Sequence, residues 1–161
     1  EDKRESNLLD GFAHFYDTYE CSDNKFIAVG SIEPQFYSEL LDKLGIQEDR
    51  FKDQYNKDLW PELKKIMSLK IKSRPRSEWV EIFKDGDACV SPVLSMEDAQ
   101  AHPHNIAREA FKKIDGFNQP NASPRFSVTK SEIKHNAKQI GADLDDICKE
   151  FNLSIEVLKK T

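Results

Sequence analysis

Glu33 is the side chain in this sequence whose setting most suggests chemistry. The run Gly30-Ser31-Ile32 ends at its carboxylate, and Pro34-Gln35-Phe36-Tyr37 follows directly. Proline fixes its own φ and pushes the preceding residue out of the α region, so a helix can begin at Pro34 but hardly before it. Glu33 is therefore predicted at the N-cap position, where the helix dipole and unpaired N–H groups favour negative charge and keep the carboxylate ionised near neutral pH. A charged carboxylate on a rigid helix start is suited to orienting a histidine or stabilising an imidazolium rather than to donating a proton. A plain dipole-complementing acid at a helix start has the same spacing.

Other reactive side chains offer less. His102 and His104 could ligate a metal from one face of an extended segment, but no third ligand stands at a suitable spacing. Beside Pro103 they read as loop histidines. The sequence offers His14 and His135 no partner. Six basic residues and no acidic one lie between Lys64 and Arg76. Such a run could meet an anionic ligand, or be the solvated face of an amphipathic helix with snorkelling lysines. The chain has no phosphate-cradling glycine loop, no nucleophile elbow and no H-E-x-x-H.

The elements that must position Glu33 can be read from periodicity. Phe15-Tyr16-Asp17-Thr18-Tyr19 and Lys25-Phe26-Ile27-Ala28-Val29 flank the turn residues Cys21-Ser22-Asp23-Asn24, which predicts a β-hairpin leading into Gly30. That hairpin places Tyr16 close to the Ile32–Glu33 corner. Phe36, Tyr37, Leu40, Leu41 and Leu44 recur at helical spacing up to Gly45. Trp60, Leu63, Met67 and Ile71 form the stripe of a second helix, with Asp58 as its expected N-cap. Ser77 is expected to cap a third helix carrying Trp79, Ile82 and Phe83. Cys89–Val93 reads as a short strand that Pro92 confines to an edge, and Ser95 with Asp98 as the capping box of a brief helix.

His102–Asn105 is expected to be a loop and 108–114 a strand or extended passage. The shift to Gly, Asn, Pro and Ser over residues 115–124 is the candidate boundary between a small domain, 1–114, and a linker with a C-terminal segment, 115–161. Short helices are expected over 142–151 and 154–160, and residues 1–7 are expected to fray. The fold class is thus α+β: a small antiparallel sheet with helices packed on one face, followed by a C-terminal helical segment.

Composition bounds the partners. The chain has 161 residues, 38% hydrophobic and 33% charged, with a net charge of −5. The acidic balance argues against nucleic acid, and no apolar run is long enough to span a bilayer. Three scattered cysteines with no C-x-x-C pair fit a reducing compartment better than a disulfide framework or zinc site. The chain opens at Glu1, which is expected of a piece of something longer.

The wording of the sequence adds a resemblance. Asn7-Leu8-Leu9-Asp10-Gly11, Phe15-Tyr16-Asp17-Thr18-Tyr19 and Phe26-Ile27-Ala28-Val29-Gly30-Ser31-Ile32-Glu33-Pro34-Gln35-Phe36-Tyr37 come first. Trp60-Pro61-Glu62-Leu63, Glu78-Trp79-Val80-Glu81-Ile82-Phe83, Asp87-Ala88-Cys89-Val90-Ser91-Pro92-Val93, His102-Pro103-His104-Asn105 with Arg108, and Ser123-Pro124-Arg125-Phe126 follow in the same order. This series resembles the α-methylacyl-CoA racemases of the family III CoA-transferase superfamily, along nearly the whole chain.

The resemblance implies interconversion of R and S 2-methylacyl-CoA thioesters through an enolate, with no cofactor and no metal. It implies an interlocked homodimer in a peroxisome or mitochondrion, although Leu158-Lys159-Lys160-Thr161 is not a peroxisomal address. In such enzymes a histidine and an aspartate on a larger N-terminal domain exchange the proton, and the glutamate of the small domain meets that histidine across the dimer. Carried over by motif position, Glu33 is the catalytic glutamate, and Tyr16 and Ile32 line the acyl-chain surface. The larger domain's pair has no match here, so the chain alone is expected to be inactive. A CoA-transferase of the same superfamily and a non-catalytic binding module are the alternatives. Phe12 stands where a second glycine is usual and His14 where a proline is usual, so the loop before Tyr16 is expected to have its own shape.

Overall fold

The computed structural model describes residues 3–158. Expectations for residues 1–2 and 159–161, including the terminal address, lie outside the described residues. The chain forms two compact units, Glu1–Ser95 and Met96–Thr161.

In the first unit, β1 (Tyr16–Glu20), β2 (Phe26–Gly30) and β3 (Val90–Val93) form an antiparallel sheet in that order. The register pairs Tyr16 with Gly30, Thr18 with Ala28 and Ala28 with Ser91. Pro92 is accommodated because β3 is an edge strand, where a missing N–H breaks no ladder. Alternation sends Tyr19, Ile27 and Val29 to one face, where all three are buried. Helices α2 (Trp60–Ile71) and α3 (Arg76–Phe83) contact the sheet, and the α2 stripe Trp60, Leu63, Met67 and Ile71 is buried as its spacing predicts. The α+β expectation with one covered sheet face holds.

Helix α1 (Pro34–Leu44) follows the sheet directly. It buries Tyr37, Leu40 and Leu44 and ends at Gly45, whose φ of 66° supplies the left-handed cap. The Ile46 N–H donates to Leu41 O at 2.9 Å, closing the last turn. Two expected caps are replaced. Helix α2 starts after Leu59 rather than Asp58, and α3 starts at Arg76, one residue before Ser77. The Arg76 N–H donates to Asp23 Oδ1 at 3.2 Å, so the cap comes from the distant hairpin turn.

His14 is fully buried under the hairpin. Its Nε2 lies 2.7 Å from Tyr37 Oη, and Tyr37 Oη donates to Phe51 O at 3.1 Å. With the Tyr37 hydrogen directed to Phe51, His14 donates from Nε2, and Nδ1 is left as an acceptor without a partner. Burial lowers the His14 pKa from 6.5 to about 4. The unfolded chain therefore binds a proton near pH 6 that the folded chain refuses, and stability falls as pH drops from 6.5 toward 4. A depression of this size is worth about 3 kcal/mol. Urea unfolding of the intact chain at pH 7 and pH 5 should show about 2 kcal/mol of this loss, the rest following below pH 5, and a His14→Phe variant should show a smaller difference between the two pH values.

The second unit contains α4 (Met96–Ala101), α5 (Pro103–Ala107), the hairpin β4 (Phe111–Ile114) and β5 (Phe117–Pro120), α6 (Leu144–Glu150) and α7 (Ile155–Leu158). The loop expected at His102–Asn105 is instead helical. His102 is the extended N-cap of α5 and Pro103 occupies its first turn, where a missing N–H costs nothing. The Gly/Asn-rich stretch after Asp115 is the turn and second strand of a hairpin, with Asp115 and Gly116 both at positive φ. Among the described residues of this unit only Cys148 is buried, while Phe126, Ile147 and Phe151 are exposed.

Candidate active site

The uncovered face of the sheet carries Tyr16, Thr18, Ala28, Gly30 and Ser91. With Asp10, Gly11 and Cys89 they line an open cleft of about 460 Å³. Small side chains at the centre of three strands make the depression, and the Tyr16 ring lies beside Gly30 at ordinary contact distance. A Cβ built on Gly30 would sit 3.8 Å from that ring. The cleft mixes small, apolar and acidic residues, and Tyr16 packs partly against the core beneath it. Its rim is held by the Asp17–Lys64 ion pair at 2.5 Å.

The chain then turns from the sheet into α1 through Ser31 and Ile32. Ser31 is buried, donates its N–H to Phe15 O at 3.0 Å and its Oγ–H to Ala88 O at 2.5 Å. Ile32 is half-buried against the core. Glu33 stands at the N-cap of α1 in an extended conformation, with ψ at 145°, and its side chain makes no capping hydrogen bond. The residue is exposed. Its carboxylate is consequently available to a group outside this chain rather than used up at its own helix start.

The fold thus gathers the three candidate residues around one end of the hairpin without merging them. Tyr16 lines the cleft, whereas Ile32 and Glu33 follow Gly30 at its end, beyond the lining residues. Cys89 links the two. It lines the cleft, sits at a φ of 51°, and its carbonyl accepts the Gly30 N–H at 2.9 Å. Partial desolvation, then the negative charges of Asp87, Glu33 and Glu39, raise its pKa and hold the thiol protonated. Cys89 is therefore poorly suited to nucleophilic catalysis.

His102 and His104 are not on an extended segment, as the metal reading required, because α5 sets them on a helix start. Among the described residues no three His, Cys, Asp or Glu side chains form a metal-sized group. Half of the basic run is seen in ion pairs: Lys64 with Asp17, Lys72 with Glu20 at 2.9 Å, and Arg74 with Glu78 at 2.9 Å. Sequence reasoning passed over Gln54 and Tyr55, whose side chains reach the Ile32 corner from the loop before α2. Isolated polar residues in a loop carry no periodic signal that could have singled them out.

Comparison with known proteins gives this geometry a family. The family model for CoA-transferase family III matches residues 1–144. The chain belongs to CoA-transferase family III. Relatives include the alpha-methylacyl-CoA racemase of Mus musculus, 38% identical over 95% of this chain, and that of Homo sapiens, 38% identical over 97%. A Caenorhabditis elegans protein named as a CaiB/baiF CoA-transferase family protein is 31% identical over 73% of the chain. The chain spans 41% of the length of the two racemases it matches.

Among solved structures, a CAIB/BAIF family protein from Brucella suis superposes with a TM-score of 0.65 at 20% identity, covering 84% of this chain and 37% of its own. Rv3272 from Mycobacterium tuberculosis superposes at 0.63 and 14% identity, covering 74% of this chain and 34% of its own. At those identities the likeness concerns the fold alone. It places the small sheet and its covering helices within the family III architecture. Among the described residues, no helix is long and apolar enough to cross a membrane.

Proposed function

We propose that this chain is the C-terminal part of an isomerase that interconverts the R and S forms of 2-methyl-branched acyl-CoA thioesters. The thioester acidifies the α-hydrogen. One base removes it, the electron pair enters the enolate, and a proton returns to the opposite face of the same carbon. The acid/base pair lies on a larger N-terminal domain, outside this chain. Glu33 meets the histidine of that pair in a second subunit and orients it, while Tyr16 and Ile32 present apolar surface to the acyl chain.

The observation that carries this reading is the exposed, uncapped Glu33 carboxylate on a fixed helix start at the end of the hairpin whose open face forms the Tyr16-lined cleft. The match of both racemases along nearly the whole chain supports it. A non-catalytic module would close off the hairpin face, yet here that face is open, with Phe26 at 41% and Val93 at 40% exposure.

The test is α-hydrogen exchange of a 2-methylacyl-CoA in deuterated water. The purified chain should show no exchange above background. A graft in which residues 1–161 replace the matched segment of the mouse racemase should exchange the hydrogen and racemise the substrate. Exchange by the chain alone would contradict the division of labour, and a folded but inert graft would contradict the racemase assignment.

A further inference from the structure

The backbone that carries Glu33 is held from outside the hairpin and α1. Gln54 is 6% exposed, and its Nε2–H groups donate to Ser31 O at 3.1 Å and to Ile32 O at 2.9 Å. The Tyr55 Oη–H donates to the same Ile32 carbonyl at 2.7 Å. Two adjacent side chains thus place three donors on the two carbonyls that immediately precede Glu33. Gln54 is itself anchored, because its carbonyl accepts the indole N–H of buried Trp60 at 2.8 Å. The Tyr55 ring meets the edge of Phe15 at 5.5 Å between centroids, with half of the residue still exposed.

The other polar groups of the corner are also committed. The Ile32 N–H donates to Gly30 O at 2.9 Å, and Glu33 O accepts the Tyr37 N–H at 3.0 Å. Without Gln54 and Tyr55, the Ser31–Ile32 peptide would keep the Ile32 N–H bond, but the Ile32–Glu33 peptide would lose both bonds to its carbonyl and could rotate against the rigid start of α1. The carboxylate, at the end of a flexible side chain on that corner, would sweep over a wider volume. Displacement of an orienting group by about 1 Å can cost on the order of a hundredfold in rate.

We propose that Gln54 and Tyr55 are positioning residues for Glu33, fixing the two peptides before it so that its carboxylate is presented in one place. This inference rests on the reading of Glu33 under Proposed function. Tyr55→Phe removes one donor from an exposed residue and leaves Ile32 O paired with Gln54, so it perturbs position more than fold. Gln54→Ala removes two donors and leaves Ser31 O unpaired, which lowers stability as well.

A double-mutant cycle in the graft described above tests the proposal. Tyr55→Phe and Gln54→Ala should each lower kcat by about tenfold with KM within about twofold. In a Glu33→Gln background, each should lower it by less than about twofold, because the group they position is already gone. Equal losses in both backgrounds, or no loss in the parent, would overturn the inference and leave the role of Glu33 standing. An unchanged kcat for Glu33→Gln alone would remove the role of Glu33 and the inference with it. A graft that does not fold leaves amide hydrogen exchange in the intact chain as the readout. Tyr55→Phe should speed exchange at Ile32, whose N–H is bonded to Gly30 O, by about tenfold or more, with Leu40 and Leu63 unchanged. An unchanged rate at Ile32 would overturn it.

Discussion

Glu33→Gln in a racemase carrying this chain should lower kcat by about a hundredfold or more while leaving KM and the unfolding midpoint close to those of the parent. The expectation follows from where the side chain stands. Glu33 is exposed, packs into no core and caps no helix N–H, so glutamine removes the negative charge with little effect on the fold. A carboxylate that orients a histidine and balances its imidazolium acts through charge, which the neutral amide cannot replace. Glu33→Asp keeps the charge but shortens the reach by one methylene, and should recover only part of the rate. Steady-state racemisation and deuterium exchange, measured beside a urea curve for each variant, check all three expectations. A Glu33→Gln protein with parental kcat would show that the residue is only a dipole-complementing acid at a helix start.

The second large effect concerns the support beneath the site. Trp60 is 1% exposed and meets Phe12 and Phe15 edge-on, at 5.3 and 5.6 Å between centroids. Its indole N–H also holds the Gln54 carbonyl. Trp60→Ala should therefore destabilise the chain by about 3–5 kcal/mol, lowering the thermal midpoint by roughly 10 °C or more. Trp60→Phe keeps most of the buried ring and loses the N–H bond, and should cost about 1 kcal/mol. Calorimetry of the two variants separates packing from hydrogen bonding. If Trp60→Ala unfolded within a few degrees of the parent, the cluster joining Phe12, Phe15 and Trp60 would not be the structural base of the corner.

Much of the corner was legible in sequence because its determinants are local. Pro34 defines where α1 can begin, the apolar spacing from Phe36 to Leu44 defines its buried face, and Gly45 ends it. The hairpin was equally legible, since two alternating strands flank a turn-forming segment. What escaped depends on partners far apart in the chain. The cap of α3 is Asp23, 53 residues before Arg76. Gln54 and Tyr55 gain meaning only once the fold brings their loop beneath Ile32.

Other differences arose where one local cue fits two structures. His102-Pro103-His104 reads as a loop because proline breaks helices, yet the same proline is favoured in a first turn, which is its place in α5. Asp115-Gly116 reads as a linker by composition, yet it forms the two-residue turn of β4 and β5. The departures Phe12 and His14 were visible as residue types. Their structural roles were not, because the ring of Phe12 finds Trp60 and His14 finds Tyr37 only in the packed core.

Subunit complementation tests most directly the proposal that Glu33 acts in a neighbouring subunit's reaction site. A full-length graft carrying Glu33→Gln is mixed, by unfolding and refolding together, with a graft whose large-domain acid/base pair has been removed. If the glutamate serves the other subunit, each mixed dimer holds one complete site, and turnover should recover to roughly a quarter of the parent. If mixing restores nothing although mixed dimers form, Glu33 does not reach across the dimer and the account is wrong.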